Sequence, residues 1–81
     1  IGRRRPPRRP HVGLQLLRAP FDDVARLLSD AGRFDIVLSA PAAREVTVSL
    51  RDVEPFEALE LIAEAQGLSV RYERGVVVVS P

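Results

Sequence analysis

Cysteine is absent from the 81-residue sequence, so the fold uses neither a disulfide nor a thiolate metal site for its stability. Long hydrophobic runs are absent too, since no apolar stretch approaches the ~20 residues that span a bilayer. No apolar segment follows the first arginines, as it would in a signal peptide. Because the chain begins at Ile1 and has no methionine, we expect it to be a piece of a longer protein whose targeting signal lies upstream.

The residue types that carry catalysis are also scarce. Histidine occurs once, as His11, so neither a histidine-based catalytic dyad nor a histidine metal cluster can form, and we expect this side chain to be solvated. Asp22 and Asp23 are adjacent and suit the first turn of a helix better than a shared catalytic face. No phosphate-binding glycine motif occurs. The sequence therefore predicts a protein that is not an enzyme, with no catalytic residue, metal site, cofactor or small-molecule substrate.

Lysine is missing, and the twelve arginines are unevenly distributed. Residues 1–10 carry five arginines, three prolines and no acid, which leaves 12 − 5 = 7 arginines against 11 acids in the remainder, a net charge of 7 − 11 = −4. Proline-rich segments form semi-rigid spacers. We interpret residues 1–11 as a disordered Arg/Pro-rich linker that leads into a folded domain; the alternative is a basic arm that binds nucleic acid or another anionic surface.

After residue 11, segments with apolar residues at the two-residue period of a strand alternate with segments at the 3.6-residue period of a helix. A first strand begins at Val12, and Leu17 places an apolar side chain on its polar side. Strands are also predicted at 35–38 and 45–51, and a hairpin at 69–80 whose Gly75 fits a type I turn with a glycine bulge. Proline-started helices are predicted at 20–32 and 55–67. The first buries Leu27 and ends at Gly32 as a left-handed cap.

This order predicts an α+β fold. We expect a single small βαββαββ domain over residues 12–80, with two helices packed between short two- and three-stranded sheets. The helix sequences PFDDVARLLSDAG (20–32) and PFEALELIAEAQG (55–67) align at an offset of 35 residues, which pairs Leu27 with Ile62. Either two ordinary amphipathic helices resemble each other, or a strand–helix–strand unit has been duplicated.

Residues 46–79, VTVSLRDVEPFEALELIAEAQGLSVRYERGVVVV, carry a resemblance to a known family. The positions concerned are Val46-Thr47-Val48, Leu50, Val53, Ala58-Leu59, Ile62-Ala63 and Gly67-Leu68, with Val12, Leu14, Leu16, Ala19-Pro20-Phe21, Val24 and Leu27-Leu28 upstream. At these positions the chain resembles the secretin and TonB N-terminal short domain, in the secretin-like rather than the transducer-like version. It departs from the family at Leu17, which is often polar, and at Glu45, which is often glycine.

The resemblance implies a protein–protein interaction module of an outer-membrane secretin in type IV pilus assembly or type II secretion. The module would face the periplasm of a Gram-negative bacterium, belong to a homo-oligomeric ring in the full-length protein, and bind an inner-membrane or periplasmic subunit. A stand-alone adaptor with the same fold is also possible. The alternatives are a signalling domain of a TonB-dependent transducer that binds an anti-sigma regulator, and nucleic-acid binding through the basic arm.

Candidate contact residues lie on the first and last strands. The last strand, Val76 to Val79, is apolar on both faces, so either it is an ordinary buried strand or a partner covers one face. Sheet edges can also accept a partner's strand. The partner-binding residues predicted on this basis are Leu14, Leu17, Val77 and Val79.

Overall fold

The computed structural model describes residues 10–39 and 45–81. Within them the chain forms a βαββαββ order that confirms the predicted α+β fold, with two helices and sheets of two and three strands. The elements are β1 (Val12–Pro20), α1 (Phe21–Gly32), β2 (Asp35–Leu38), β3 (Glu45–Val53), α2 (Pro55–Ala65), β4 (Ser69–Glu73) and β5 (Val76–Ser80). Nearly all of the predicted linker, and residues 40–44 between the second and third predicted strands, lie outside the described residues.

The two-stranded sheet joins β1 and β3 in an antiparallel pair. Leu14 lies opposite Leu50 and Leu16 opposite Val48, so the alternate apolar residues of both strands share the face turned to the core. The ladder is interrupted twice, once near each end. These irregularities are β-bulges, which bend a strand and turn a side chain in a new direction.

The three-stranded sheet has the order β2-β5-β4, with β5 parallel to β2 and antiparallel to β4. Directly opposite residues lie on the same face. One inward row consists of Ile36, Val77 and Tyr72, and all three belong to the core or pack against it. The central strand therefore places Val77 and Val79 against the helices, and its intervening valines face the other way.

Both helices lie between the sheets, where α1 contacts β1 and β2 and α2 contacts β3 and β4. The helices also pack against each other. The buried residues that make up this core are Leu14, Phe21, Val24, Ala25, Leu28, Phe34, Val46, Val48, Phe56, Ala58, Leu59, Ile62, Ala63, Val77 and Val79. A fold of this size is held together by that one shared cluster.

The buried face of α1 differs from the predicted one. Leu27 is 46% exposed, whereas Ala25 is fully buried, so the prediction that Leu27 packs in the core was wrong. The face of α1 that packs in the core is formed by Phe21, Val24, Ala25 and Leu28. At this helical spacing, position 27 lies outside the buried face. The buried positions of α1 match those of α2 at an offset of 34 residues, and not at the offset of 35 in the sequence alignment. Leu28 therefore corresponds to Ile62.

Two turns also differ from the sequence predictions. The left-handed residue after α1 is Arg33, at φ 56°, and Gly32 remains in the helix. In the hairpin, Glu73 pairs with Val76, so the loop consists of Arg74 and Gly75, at φ 54° and 79°. Two central residues with positive φ define a type I′ turn, the one whose twist matches a hairpin, so no glycine bulge is formed.

Candidate interaction surfaces

Three of the four predicted contact residues lie in the protein's own core. Leu14, Val77 and Val79 are buried by α1, α2 and the opposite strands. For the valines this agrees with the alternative of an ordinary buried strand. Leu17 is 79% exposed, so of the four it is the side chain available to a partner.

Leu17 lies on the outward face of β1, at the start of a bulge. Leu16 pairs with Val48 and Ala19 with Val46, so Leu17 and Arg18 together stand opposite Thr47. Arg18 takes a left-handed conformation at φ 53°, and its backbone N–H donates to Thr47 Oγ1 over 3.3 Å. Leu17 already points outward by the alternation of the strand, because Leu14 and Leu16 point inward. The extra residue returns Ala19 to the inward side, where it packs against the core.

The neighbourhood of Leu17 is polar. Gln15 and Ser49 form an exposed cross-strand pair, and Thr47 is exposed beside them. Such short polar side chains offer hydrogen bonds but little apolar area. A protruding leucine framed by polar groups has the composition of a small interface centre with a polar rim.

The outward face of the three-stranded sheet is a second apolar surface. Val37 and Val78 lie directly opposite each other on this face, and Val76 lies two residues before Val78. Val37 is 50% exposed and the other two are half-buried. Charged residues surround them, including Arg71, whose Nη1 lies 3.6 Å from Glu73 Oε2. The predicted contact residues of this strand, Val77 and Val79, lie on its opposite face, in the core.

The polar groups with catalytic potential are spread out. His11 Nδ1 lies 3.0 Å from Asp52 Oδ1, and both side chains are more than half exposed. Ser29 and Ser39 use their hydroxyls to donate to the backbone carbonyls of Arg26 and Val79. In the part of the chain that the structure describes, no group of three or more His, Cys, Asp or Glu side chains is placed to hold a metal ion.

The aspartates at the start of α1 have a local role. Asp22 Oδ1 accepts a hydrogen bond from the backbone N–H of Asp23 over 3.0 Å. Both carboxylates lie in the first helical turn, where the backbone N–H groups make the potential positive. This agrees with the structural role that the sequence predicts for them.

The arginines of the described residues are exposed and lie on different elements. They are Arg18 in β1, Arg26 in α1, Arg33 after α1, Arg51 in β3, Arg71 in β4 and Arg74 in the hairpin turn. Nucleic-acid interfaces usually collect such residues along one face or helix. The basic N-terminal arm that the alternative hypothesis requires lies outside the described residues.

Sequence reasoning missed one exposed apolar residue of α2, Leu61. It lies among glutamates on the side of the helix that does not face the core, and it is 55% exposed. The signal was available, because a leucine surrounded by Glu57, Glu60 and Glu64 interrupts an otherwise acidic face. It was overlooked because the core positions of the helix were already accounted for by Phe56, Leu59, Ile62 and Ala63.

Neither helix in residues 10–39 and 45–81 is long and apolar enough to cross a membrane. Comparison of the chain with protein-family models and with curated proteins finds no match.

Proposed function

We propose that this chain is a protein-docking domain of a secretin-type outer-membrane assembly, and that it binds the periplasmic part of an inner-membrane subunit without chemistry of its own. The observation that carries the proposal is the position of Leu17. This leucine is 79% exposed on the outward face of β1, next to polar side chains, and the β1–β3 ladder holds its backbone on both sides. An apolar side chain held in this way is suited to enter a pocket on another protein.

Burial of Leu17 would contribute a measurable part of the binding free energy. Complete burial of a leucine side chain is worth about 1.5–3 kcal/mol. The contribution is gained with little ordering cost, because the backbone around Leu17 is already held by the β1–β3 ladder and by the Arg18 N–H to Thr47 Oγ1 hydrogen bond. Thr47, Gln15 and Ser49 supply polar groups for the rim of such an interface.

The assignment to a secretin-type assembly rests on the sequence resemblance in residues 46–79 and in the first strand and helix. The βαββαββ order and the two sheets around a helix pair are the arrangement that the resemblance implies. In this proposal the domain lies in the periplasm of a Gram-negative bacterium, within the ring formed by the full-length protein.

Titration of the chain with periplasmic domains of inner-membrane pilus and type II secretion subunits tests the proposal. We expect one of them to bind, and Leu17→Glu to weaken the binding by about tenfold or more, because burial of the leucine is lost and a charge is desolvated. Leu27→Glu is the matched control, since Leu27 is also an exposed leucine but lies on α1.

Two results would contradict the proposal. One is that none of these domains binds the chain, or that the Leu17 and Leu27 variants bind alike. The other is that the periplasmic domain of an anti-sigma regulator binds while the secretion subunits do not, which would favour a signalling domain of a TonB-dependent transducer.

A further inference from the structure

The outward face of the three-stranded sheet is a flat surface of small side chains. Its central strand contributes Val76, Val78 and Ser80, all half-buried. On the edge strand β2, Val37 lies directly opposite Val78 and is 50% exposed. Both helices lie between the two sheets, so neither helix in residues 10–39 and 45–81 packs on this face. Short, β-branched side chains on an open sheet face are suited to pack against another sheet about 10 Å away.

Three charged residues border the valines in a definite order. Asp35 in β2 and Glu73 in β4 lie opposite Val76, one on each side of it. One row further along the sheet, Arg71 in β4 lies opposite Val78. The β4 side of the face therefore carries an acid and then a base, whose atoms Glu73 Oε2 and Arg71 Nη1 are 3.6 Å apart. This order determines how two such faces can stack.

Two copies related by a two-fold axis can stack β5 on β5 in two ways. If the strands of the two copies run in the same direction, β2 lies over β4 of the second copy, and Asp35 faces its Glu73. Like charges oppose that arrangement. If the strands run in opposite directions and the axis passes between the two rows, Val76 faces Val78 of the second copy. Arg71 then faces Glu73 of the second copy, and by symmetry each of these contacts occurs twice.

We propose that this face binds a second copy of the chain in the antiparallel arrangement, as a two-fold dimer in which sheet packs on sheet. The second copy is the occupant because the charges of the face complement themselves in that arrangement. The valines of both copies form the apolar centre, and the Arg71 and Glu73 side chains of both copies alternate in charge along one edge. Asp35 lies at the other edge, where it stays open to water.

The size of the face predicts a weak dimer. Three strands of about five residues cover roughly 14 Å by 17 Å, whereas a standard stable interface buries about 800 Å² on each partner. We therefore expect a dissociation constant on the order of 1 mM. Such a dimer forms where chains are held close together, because tethering raises their effective concentration to about the millimolar range.

The dimer leaves the Leu17 surface accessible. The two sheets lie on opposite sides of the helix pair, so their outward faces point in opposite directions. The dimer does not rest on the proposed function, and a two-fold contact pairs domains two by two instead of continuing around a ring. If the proposed function is also correct, the dimer presents two Leu17 surfaces and binds a partner that has two sites more tightly than a single domain does.

Sedimentation velocity and NMR dilution of the 81-residue chain, from about 20 μM to 2 mM, test the proposal. We expect the amide signals of β2, β5 and β4 to shift as the concentration rises. Val37→Glu should weaken the association by about tenfold or more, because a charge is then placed in the apolar centre. Val37 is half exposed on an edge strand, so this variant should fold. Leu17→Glu and Leu27→Glu are the controls at exposed leucines elsewhere and should leave the association unchanged.

An exchange of charges tests the arrangement of the two copies. Arg71→Glu and Glu73→Arg each place like charges opposite one another, so either variant alone should associate about tenfold more weakly than the native chain. An equimolar mixture of the two should associate at least as well as the native chain, because every opposed pair again has opposite charges. Arg26→Glu mixed with Asp30→Arg, both on α1, is the control of equal charge change and should gain nothing from mixing.

A chain that stays monomeric over the whole concentration range would overturn the proposal. Association that Leu17→Glu or Leu27→Glu weakens as much as Val37→Glu would overturn it as well, since another surface would be responsible. Association that the mixture of charge variants does not restore would overturn the antiparallel arrangement. A monomeric chain whose binding to a secretion subunit is weakened by Val37→Glu would assign this face to that subunit instead of a second copy.

Discussion

The ring of Phe34 meets the ring of Phe56 edge to face, with centroids 5.9 Å apart and an angle of 89° between their planes. Phe34 follows the left-handed Arg33 at the end of α1, and Phe56 is the second residue of α2. The contact therefore joins the end of one helix to the start of the other. Because both rings are buried, this pair links the two β-α-β halves of the domain.

We expect the two rings to be energetically coupled. Phe34→Leu and Phe56→Leu should each lower the free energy of unfolding by about 1–2 kcal/mol, and the double variant should lose less than the sum of the two, by about 0.5–1.5 kcal/mol. Urea unfolding of the four proteins measures this coupling. Simple additivity within about 0.3 kcal/mol would mean that the rings contribute independently, in contradiction to this account.

Gly32 is required for the position of Phe34. A Cβ added at Gly32 would overlap Phe34 Cε2 and lie 2.7 Å from Phe34 Cδ2 and 3.1 Å from Pro55 Cβ. We expect Gly32→Ala to lower the free energy of unfolding by about 1–3 kcal/mol, although alanine favours helices, because the ring must move within a packed core. Gly13→Ala is the control, since its nearest atom is Leu50 O at 4.0 Å. Equal stability of the two variants would contradict the expected clash.

Arginine is an unfavourable residue type for the first central position of the type I′ turn. Arg74 has φ 54°, a conformation that costs an ordinary residue about 1–2 kcal/mol and costs asparagine less. Arg74→Asn should therefore raise the midpoint of thermal unfolding by several degrees, measured by circular dichroism, where about 1 kcal/mol corresponds to roughly 4–8 °C in a domain of this size. Gly75→Ala, at φ 79°, should lower it. A lower midpoint for Arg74→Asn would show that the arginine side chain has a stabilising role in the turn.

The basic N-terminal segment is predicted to be a linker rather than a nucleic-acid arm. We expect the chain to show no salt-dependent binding to double-stranded DNA or to single-stranded RNA near physiological ionic strength of about 0.15 M. Fluorescence anisotropy over a range of salt concentrations measures this, with a chain lacking residues 1–9 for comparison. Affinity that falls steeply with salt and disappears on that deletion would instead favour the nucleic-acid hypothesis.

The sequence was sufficient for the element order and the fold class because alternating apolar residues mark β3 and proline-started amphipathic runs mark both helices. Val46 and Val48 in β3, and Leu59 and Ile62 in α2, are buried as their spacing predicts. Details that depend on one residue's backbone angles were less predictable. The left-handed conformations at Arg33 and Arg74 occur at residues that rarely adopt them, next to glycines that adopt them readily.

The candidate surfaces were only partly predictable for a related reason. Leu17 was recognisable as an apolar residue at an outward position of a strand, and it is exposed as that alternation predicts. Periodicity alone could not show whether Leu14, Val77 and Val79 are buried or lie on a surface. A strand covered on one face and a strand covered on both can have similar sequences.

A photo-crosslinking amino acid at position 17 of the full-length protein, in its native cells, tests the central claim most directly. We expect the crosslink to capture an inner-membrane-anchored protein with a periplasmic domain, identified by mass spectrometry as a pilus or secretion subunit, and the same crosslinker at Arg26 on α1 to capture none of it. Absence of any product from position 17, equal capture from position 26, or capture of a cytoplasmic protein would contradict the claim that this domain docks a secretion partner through Leu17.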